Sequence, residues 1–165
     1  MESKRCSVIL SFGSNLGDSK GLISCAYERL ENAGLELLQK SSFYSSPPWG
    51  FEAENDFVNT VAIFKTELKV EDLLELAKFI EKELGREESD GVTYASRTID
   101  IDIIDYNGRV YESETLSIPH ASCHLRAFVL VPLQEIHPNW IHPKLKKGID
   151  QIIQDFQVVL NTVKI

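Results

Sequence analysis

The sequence predicts an α+β fold whose main elements follow the order β-α-β-β-α-β. Four short segments with apolar residues, three of them rich in Val and Ile, are bounded by turn residues, and two longer segments between them carry apolar residues at helical spacing. The length of 165 residues suits one domain, which we expect to span residues 1–165. With 43% hydrophobic and 25% charged residues, the chain is expected to bury a core without disulfides.

The strands are expected where β-branched and apolar residues cluster. In chain order, the four predicted strands cover residues 6–12, 35–44, 57–65 and 98–106. The last of these alternates at period two, and Asn107-Gly108 after it predicts a hairpin turn with a short return strand over 109–111. Two prolines and a glycine make residues 45–56 a loop.

Two helices are expected, one between the first and second strands and one between the third and fourth. The first helix follows Asp18, a plausible N-cap, and stops at Gly34, while the second covers residues 70–84 and ends at Gly85. Residues 86–96 are polar and predict a mobile loop. This order is typical of the ferredoxin-like fold, an antiparallel sheet with both crossover helices on one face.

The C-terminal third is expected to add elements to this fold. The pattern predicts a helix within residues 125–136 that ends at or near Pro132, a short helix within 147–156, and a β-rich run over 157–165. No internal repeat or linker is visible, and we expect the chain to be complete.

The composition excludes several classes of protein. A formal net charge of −8 argues against nonspecific binding to nucleic acid or a membrane surface, because the field of the chain repels phosphate. The three cysteines are odd in number and show no CxxC spacing, so we expect neither a disulfide framework nor a zinc site. No secretory signal or membrane span is visible, which predicts a cytoplasmic protein.

The clearest signal for chemistry is the pair Asp100 and Asp102 in RTIDIDI. On a strand, residues two apart share a face and lie roughly 6.5–7 Å apart at the Cα atoms. Two like charges so close repel each other unless a cation lies between them, and carboxylates without His or Cys suit Mg²⁺. The alternative interpretation is a solvated strand face.

Cationic residues near this pair favour the metal interpretation. The candidates are Arg86, Arg97, His120 and Arg126. In an acidic chain, such a group is typical of a clamp for phosphates that Mg²⁺ bridges. Taken singly, each arginine is more typical of a surface ion pair, and each histidine is more typical of a structural role. The structural interpretation is kept for His124, His137, His142 and Trp140.

Two residues of the third strand suit a flat heterocycle. Phe57 and Asn59 are two apart, so they share a face that offers an aromatic ring beside an amide. Alone, Phe57 is more typical of a core. The segment GSNLG at residues 13–17 lacks the Lys of a Walker motif and the GxGxxG spacing, so we interpret it as a structural turn.

Together these segments resemble the family of 6-hydroxymethyl-7,8-dihydropterin pyrophosphokinases of the folate pathway. The resemblance consists of GSNLG at Gly13, SSFYSSPPWG at Ser41, FVN at Phe57, GR at Gly85, RTIDIDI at Arg97, SIPH at Ser117 and RAFVLVPLQEI at Arg126. It implies transfer of pyrophosphate from ATP, in which the hydroxymethyl oxygen of the pterin attacks the β-phosphorus and AMP leaves. It also implies the ferredoxin-like fold.

The resemblance assigns a role to each matching residue. Asp100 and Asp102 would hold two Mg²⁺ ions. The predicted contacts to ATP are Glu81 near the ribose, Ile103 near the adenine, and Arg86, Arg97, Ser117, His120 and Arg126. Of these, Arg86 and Arg97 would also be catalytic. The pterin would stack between Phe57 and Phe128, and its edge would be read by Asn59 and by backbone near Ser46, Pro47 and Trp49.

The sequence departs from the family pattern chiefly in the segment after Arg86. Residues 94–97 read YASR where Trp-Gly-Pro-Arg is frequent, Glu88 and Asp90 are acidic where a second loop arginine is frequent, and the loop is one residue longer. Ala121 stands where Tyr or Pro is common. We expect these changes to affect loop closure and ATP affinity more than the reaction.

Three alternatives stay open at the level of sequence. One is a phosphotransferase with the same Mg–ATP half-site and another acceptor, which the set Phe57, Asn59 and Phe128 disfavours. The second is a noncatalytic ligand-binding module, and the third a structural role in a larger assembly. We expect a monomer with small-molecule substrates and without nucleic-acid or membrane partners.

Overall fold

A computed structural model describes residues 4–86 and 96–165 of the chain, which form both strands and helices. The strands are β1 Cys6–Ser14, β2 Glu36–Lys40, β3 Tyr44–Ser46, β4 Phe57–Thr66, β5 Asp100–Tyr106, β6 Tyr111–Glu112, β7 Ser117–Ile118 and β8 Val163–Lys164. The helices are α1 Ser19–Asn32, α2 Val70–Glu83, α3 Ala127–Ile136 and α4 Ile149–Asp155, with a 3₁₀ turn at Cys123–Leu125.

The main sheet has the strand order β5-β1-β4-β3-β8, with β2 also paired to β4, and its strand pairs are antiparallel. The two crossover helices and the sheet confirm the predicted α+β class, and the order of the four predicted strands matches the ferredoxin-like arrangement. None of the helices in the described parts is long and apolar enough to cross a membrane.

The sheet carries a hydrophobic core on each face. Side chains alternate along β1, so Val8, Leu10 and Phe12 pack with α1 and α2. Ile9 faces the opposite side and packs with α3 and α4. The predicted crossover helices thus share one face, and the appended C-terminal helices cover part of the other. That second face carries the site.

The predicted strand over 35–44 is wrong in one respect, because the structure divides it into β2 and β3. Between them, the Ser41 hydroxyl accepts a hydrogen bond from the Val61 N–H at 3.0 Å. The Ser42 N–H donates to Glu135 of α3 at 3.0 Å instead of to a strand. A side chain from a distant helix therefore interrupts the ladder, which local sequence does not reveal. β3 also extends into the predicted loop, as far as Ser46.

After β5, the predicted hairpin turn is correct, but the predicted return strand is wrong. Asn107 and Gly108 have φ of 53° and 69°, which fits the predicted hairpin turn. The expected return strand forms only one bridge, between Tyr106 and Arg109. The next strand, β6, pairs with β7, since a tight turn between Ser113 and Leu116 joins those two.

The C-terminal elements also differ from expectation. α3 continues through Pro132 to Ile136, because Leu130, Leu133 and Ile136 bury its apolar face in the second core. The β-rich run forms strand structure only at Val163–Lys164. The three cysteines are free, as predicted. Residues 87–95 lie outside the described parts, and with them most of the predicted mobile loop over 86–96 and most of its departures from the family pattern.

Candidate active site

One row of residues crosses the second face of the sheet and forms the floor of the site. Asp100 of β5 is the cross-strand partner of Gly13, and Gly13 is also the partner of Asn59 on β4. Cross-strand partners project from the same face. A Cβ atom at Gly13 would lie 3.4 Å from Asn59 Oδ1, so glycine leaves open space between the carboxylate and the amide. The neighbouring row places Ser11 beside Asp102 in the same way.

A pocket of about 520 Å³, counted with the solvent at its mouth, opens above these rows. It is lined by Ser11, Phe12, Gly13, Ser46, Pro47, Trp49, Phe51, Phe57, Asn59, Arg97, Asp100, Asp102, Arg126 and Phe128. The six residues that the resemblance assigns to the pterin therefore line one pocket with both candidate metal ligands. Sequence reasoning did not single out Ser11, Phe12, Gly13 or Phe51. The signal for Gly13 was present in GSNLG, which we interpreted only as a turn.

Three arginines surround the carboxylate pair. Arg86 and Arg97 each place an Nη1 atom near Asp100 Oδ1, at 3.1 Å and 3.2 Å, and Arg126 Nη1 lies 3.6 Å from Asp102 Oδ2. Burial, and then the charge of Asp100, nevertheless raises the pKa of the Asp102 carboxyl from 3.8 to about 7. The ionised form of Asp102 is therefore disfavoured in this buried place, and a cation beside the two carboxylates would stabilise it.

Arg126 is held by aromatic rings. Its guanidinium lies 4.7 Å from the ring centroid of Trp49 and 5.5 Å from that of Phe128, within the range of cation–π attraction. The residue is 7% exposed, and its Nε has no hydrogen-bond partner among the described residues. A buried N–H of a cation without an acceptor is costly, so this atom favours an anionic or polar ligand beside it.

Arg86 is placed by the end of α2. Gly85 has φ of 94°, and this left-handed residue lets the Arg86 N–H donate to the Glu81 carbonyl at 3.0 Å. The buried Glu81 carboxylate also forms an ion pair with the Arg86 guanidinium. The structure thus brings Glu81 to the site through Arg86. Ile103 lies in the first core, on the other face of the sheet, so its side chain does not point toward the pocket.

The amide of Asn59 is fixed by its neighbour. Asn59 Nδ2 donates to the Ser46 hydroxyl at 2.7 Å, and the side chain is 2% exposed. This bond orients Oδ1 toward the space above Gly13. An acceptor atom there, beside the Phe57 and Phe128 rings, is able to receive an N–H from the edge of a flat ring.

His120 lies near the arginine side of the site but does not line the pocket. Its Nδ1 accepts from the Ser122 N–H at 3.1 Å, which assigns the proton of the neutral ring to Nε2. Burial, and then Arg126, lowers the pKa of His120 to about 4, so the ring is a neutral donor near pH 7. Ser117 is exposed, and its hydroxyl donates to the Pro119 carbonyl at 3.4 Å. It also lies outside the pocket lining.

Two of the residues interpreted as structural, Trp140 and His142, have structural contacts. Trp140 Nε1 donates to Asp105 Oδ2 at 2.8 Å inside the second core. Asp105 reaches that core because the register between β1 and β5 shifts after Ile9, which leaves Ile104 as an extra residue. His142 Nδ1 accepts backbone N–H groups of the next turn. No group of three or more His, Cys, Asp or Glu residues suited to a metal occurs in residues 4–86 and 96–165.

Two curated relatives are similar to most of this chain. A Porphyromonas gingivalis protein named 2-amino-4-hydroxy-6-hydroxymethyldihydropteridine pyrophosphokinase is 44% identical over 141 residues, which cover 83% of this chain and 94% of that protein. An Aquifex aeolicus protein of the same name is 41% identical over 144 residues, 87% of this chain and 88% of the relative.

Solved structures show the same fold at lower identity. The wild-type Plasmodium falciparum HPPK-DHPS, crystallised with pteroate, superposes with a TM-score of 0.74 at 16% identity. The match covers 94% of this chain and 43% of that longer chain. Residues 9–138 match the family model described as 7,8-dihydro-6-hydroxymethylpterin-pyrophosphokinase (HPPK). With that match, and relatives above 40% identity over most of their length, the chain belongs to the 7,8-dihydro-6-hydroxymethylpterin-pyrophosphokinase family.

Proposed function

We propose that this protein transfers pyrophosphate from ATP to the hydroxymethyl group of 6-hydroxymethyl-7,8-dihydropterin and releases AMP, a step of folate synthesis. The observation that most strongly supports this proposal is a single pocket. In it, aromatic rings and the Asn59 amide lie beside a carboxylate pair that three arginines surround. The family and the names of the relatives support the same reaction.

The aromatic half suits the acceptor. Phe57 and Phe128 offer ring faces for stacking, and Asn59 Oδ1 offers an acceptor for the N–H groups of the ring edge. A sugar or an open-chain alcohol would make poor use of these groups. A planar pterin places its hydroxymethyl group at the rim of the ring, so it can face the carboxylate pair while the ring stays stacked.

The carboxylate half suits magnesium, which we propose as the cofactor, as two ions. Asp100 and Asp102 would hold them, and a bound cation would stabilise the ionised form of Asp102, which burial and the charge of Asp100 disfavour. Two protein carboxylates are a usual number for Mg²⁺, which keeps water and substrate phosphates as its other ligands. When bound, the metal would neutralise phosphate charge and polarise the β-phosphate.

The chain's own groups would bind and orient the two substrates. Arg97 and Arg126 line the pocket, and their guanidinium N–H groups can bind phosphate oxygens as negative charge passes to the leaving AMP. Arg86 lies on the same side, paired to Asp100. The neutral Nε2–H of His120 is a further donor for a phosphate oxygen. Such a site accelerates transfer mainly by positioning and charge stabilisation.

The direct test is AMP release from ATP with Mg²⁺, with and without the pterin. We expect AMP only when the pterin is present, and its loss with EDTA. Asp100→Asn and Asp102→Asn should abolish release, whereas Asp18→Asn removes the same charge from an exposed helix cap and should retain it. ADP instead of AMP would contradict attack at the β-phosphorus and favour another phosphotransferase.

Binding of both substrates without turnover by the wild-type protein would favour a noncatalytic module. Activity that persists in EDTA would refute the magnesium requirement alone. A monomeric state and a cytoplasmic location stay predictions, which sedimentation and cell fractionation would test.

A further inference from the structure

Glu135, near the end of α3, joins that helix to β3 through three hydrogen bonds. Its Oε1 accepts from the Ser42 hydroxyl at 2.7 Å, and its Oε2 accepts from the Ser42 N–H at 3.0 Å and from the Tyr44 hydroxyl at 2.8 Å. Burial opposes ionisation, but these hydrogen bonds outweigh burial and lower the pKa of Glu135. The carboxylate is therefore charged near pH 7, and hydrogen bonds to a charged acceptor are stronger than those between neutral groups.

β3 is the element that these hydrogen bonds position. It is a short strand, with three residue pairs to β4 on one side and two to β8 on the other. α3, by contrast, is anchored independently, because Leu130, Leu133 and Ile136 are buried in the second core. Loss of the Glu135 carboxylate would therefore release β3 and leave α3 in place.

β3 carries the group that orients Asn59. Tyr44 is the cross-strand partner of Asn59, so the two side chains project from the same face of the sheet. Ser46, two residues further along β3, accepts the hydrogen bond from Asn59 Nδ2 at 2.7 Å. That bond turns Asn59 Oδ1 toward the open space above Gly13. A series of contacts therefore runs from Glu135 through β3 to the acceptor atom of Asn59.

Neither a neighbouring cation nor solvent water would replace this link. Lys164 Nζ lies 3.6 Å from Glu135 Oε1, but the lysine side chain is 59% exposed, and ion pairs of such exposure contribute little. Water could accept the hydrogen bonds of Ser42 and Tyr44, since the Glu135 side chain is itself 27% exposed. A water molecule is not attached to α3, however, so it would satisfy the donors without fixing the position of β3.

We propose that Glu135 is a positioning residue for the acceptor substrate: it fixes β3 against α3, so that Ser46 holds the Asn59 amide in the orientation that binds the pterin. This inference rests on the proposed function, because it takes the pterin as the occupant of the aromatic and amide half of the pocket. The effect is selective for that half. The arginines and carboxylates of the other half lie on β5 or near the ends of α2, β5 and α3, so they do not depend on the position of β3.

The test compares the binding of two ligands without turnover. Calorimetry measures the Kd of α,β-methylene-ATP with Mg²⁺, and then the Kd of the pterin at a saturating concentration of that analogue, whose α–β bridge is not cleaved. In Glu135→Ala the Kd of the pterin should rise about tenfold, whereas that of the analogue should change less than about twofold. Glu135→Gln keeps one acceptor oxygen and should show an intermediate rise. Tyr44→Phe removes only one of the three hydrogen bonds and should raise the Kd of the pterin about threefold.

Two further variants separate positioning from general destabilisation. Tyr27→Phe is the matched control, because it removes a buried tyrosine hydroxyl that hydrogen-bonds to Thr60 on the side of the first core. That variant should keep the wild-type Kd of the pterin. Ser46→Ala should raise this Kd by itself, and Glu135→Ala should add less than about twofold to that rise, because both changes act through the same amide. If Glu135→Ala fails to fold, Tyr44→Phe carries both comparisons.

An unchanged Kd of the pterin in Glu135→Ala and Tyr44→Phe would overturn the inference. So would equal weakening of both ligands, an equal loss in Tyr27→Phe, or independent effects of Glu135→Ala and Ser46→Ala. A wild type that binds the nucleotide analogue but not the pterin would instead refute the proposed function, which separates the two failures. Steady-state kinetics add an independent readout: the KM for the pterin should rise in Glu135→Ala while kcat stays near the wild-type value, and Glu135→Gln should restore part of the KM.

Discussion

Replacement of Asp102 by asparagine is expected to stabilise the ligand-free protein while it removes the activity. The pKa of Asp102 is raised from 3.8 to about 7, with burial as the larger cause and Asp100 as the next. At about 1.36 kcal/mol per pKa unit, ionisation in the folded chain costs up to about 4 kcal/mol. Asparagine keeps the shape of the side chain without this charge.

Two effects reduce that figure. The side chain is 24% exposed, so water screens part of the repulsion, and asparagine loses the 3.6 Å ion pair with Arg126. We therefore expect a net gain of about 1–2 kcal/mol for Asp102→Asn at pH 8. For a chain of this size, that gain corresponds to a rise in Tm of about 3–6 °C.

The sign of the pH dependence follows from proton linkage. Between pH 3.8 and about 7, the folded wild type binds more protons at Asp102 than the unfolded chain, so its stability falls as the pH rises. The advantage of Asp102→Asn should therefore be complete above pH 7 and absent near pH 4. Thermal melts in EDTA across this pH range measure the difference in Tm between the wild type and Asp102→Asn. The contributions of the other titrating groups cancel in that difference.

Asp18→Asn serves as the control, because it removes one charge from the acidic chain at an exposed cap. A destabilised Asp102→Asn at pH 8, or an advantage that does not change with pH, would refute the reasoning. If Asp18→Asn is stabilised as much as Asp102→Asn, the gain in stability comes from the change in net charge.

Three further predictions concern other residues. Burial, and then a neighbouring histidine, lowers the pKa of His142 to about 4. The free energy of unfolding should therefore decrease as the pH falls below 6.5, because the unfolded chain binds the proton more readily. His142→Asn should remove about 1–2 kcal/mol of this decrease between pH 7 and pH 5, as measured by urea unfolding. Trp140→Phe leaves Asp105 Oδ2 without its hydrogen-bond donor and should lower the free energy of unfolding by about 2 kcal/mol, with kcat unchanged. An unaltered midpoint of urea unfolding would contradict this prediction. Phe128→Ala should raise the KM for the pterin about tenfold and leave the KM for ATP nearly constant.

Local patterns in the sequence were sufficient for most of the fold. The alternation in residues 98–106 placed Asp100 and Asp102 on one face, and helical periodicity placed α1 and α2, because side-chain period depends on backbone geometry alone. The same alternation was insufficient at Ile104, where the register shift turns Asp105 toward the second core. That shift depends on the neighbouring strand, so no local pattern reveals it.

The break between β2 and β3 and the passage of α3 through Pro132 were decided by tertiary contacts. Glu135, far along the chain, receives the Ser42 N–H, and the strand cannot continue there. α3 passes through Pro132 because its apolar face packs on the sheet, which outweighs the lost backbone bond. In each case, the packing of distant segments overrode a local preference.

By itself, the sequence determined which residue types were available for the reaction, namely two carboxylates at strand spacing, the cations and the aromatic residues of the family motifs. Only the tertiary structure decided how they meet. Gly13 separates Asp100 from Asn59 across three strands, Trp49 contacts the Arg126 guanidinium, and the Asn15 side chain accepts the Arg97 N–H. The physical reason is that a motif fixes spacing along one strand, whereas distances between strands depend on register and on the packing of the whole chain.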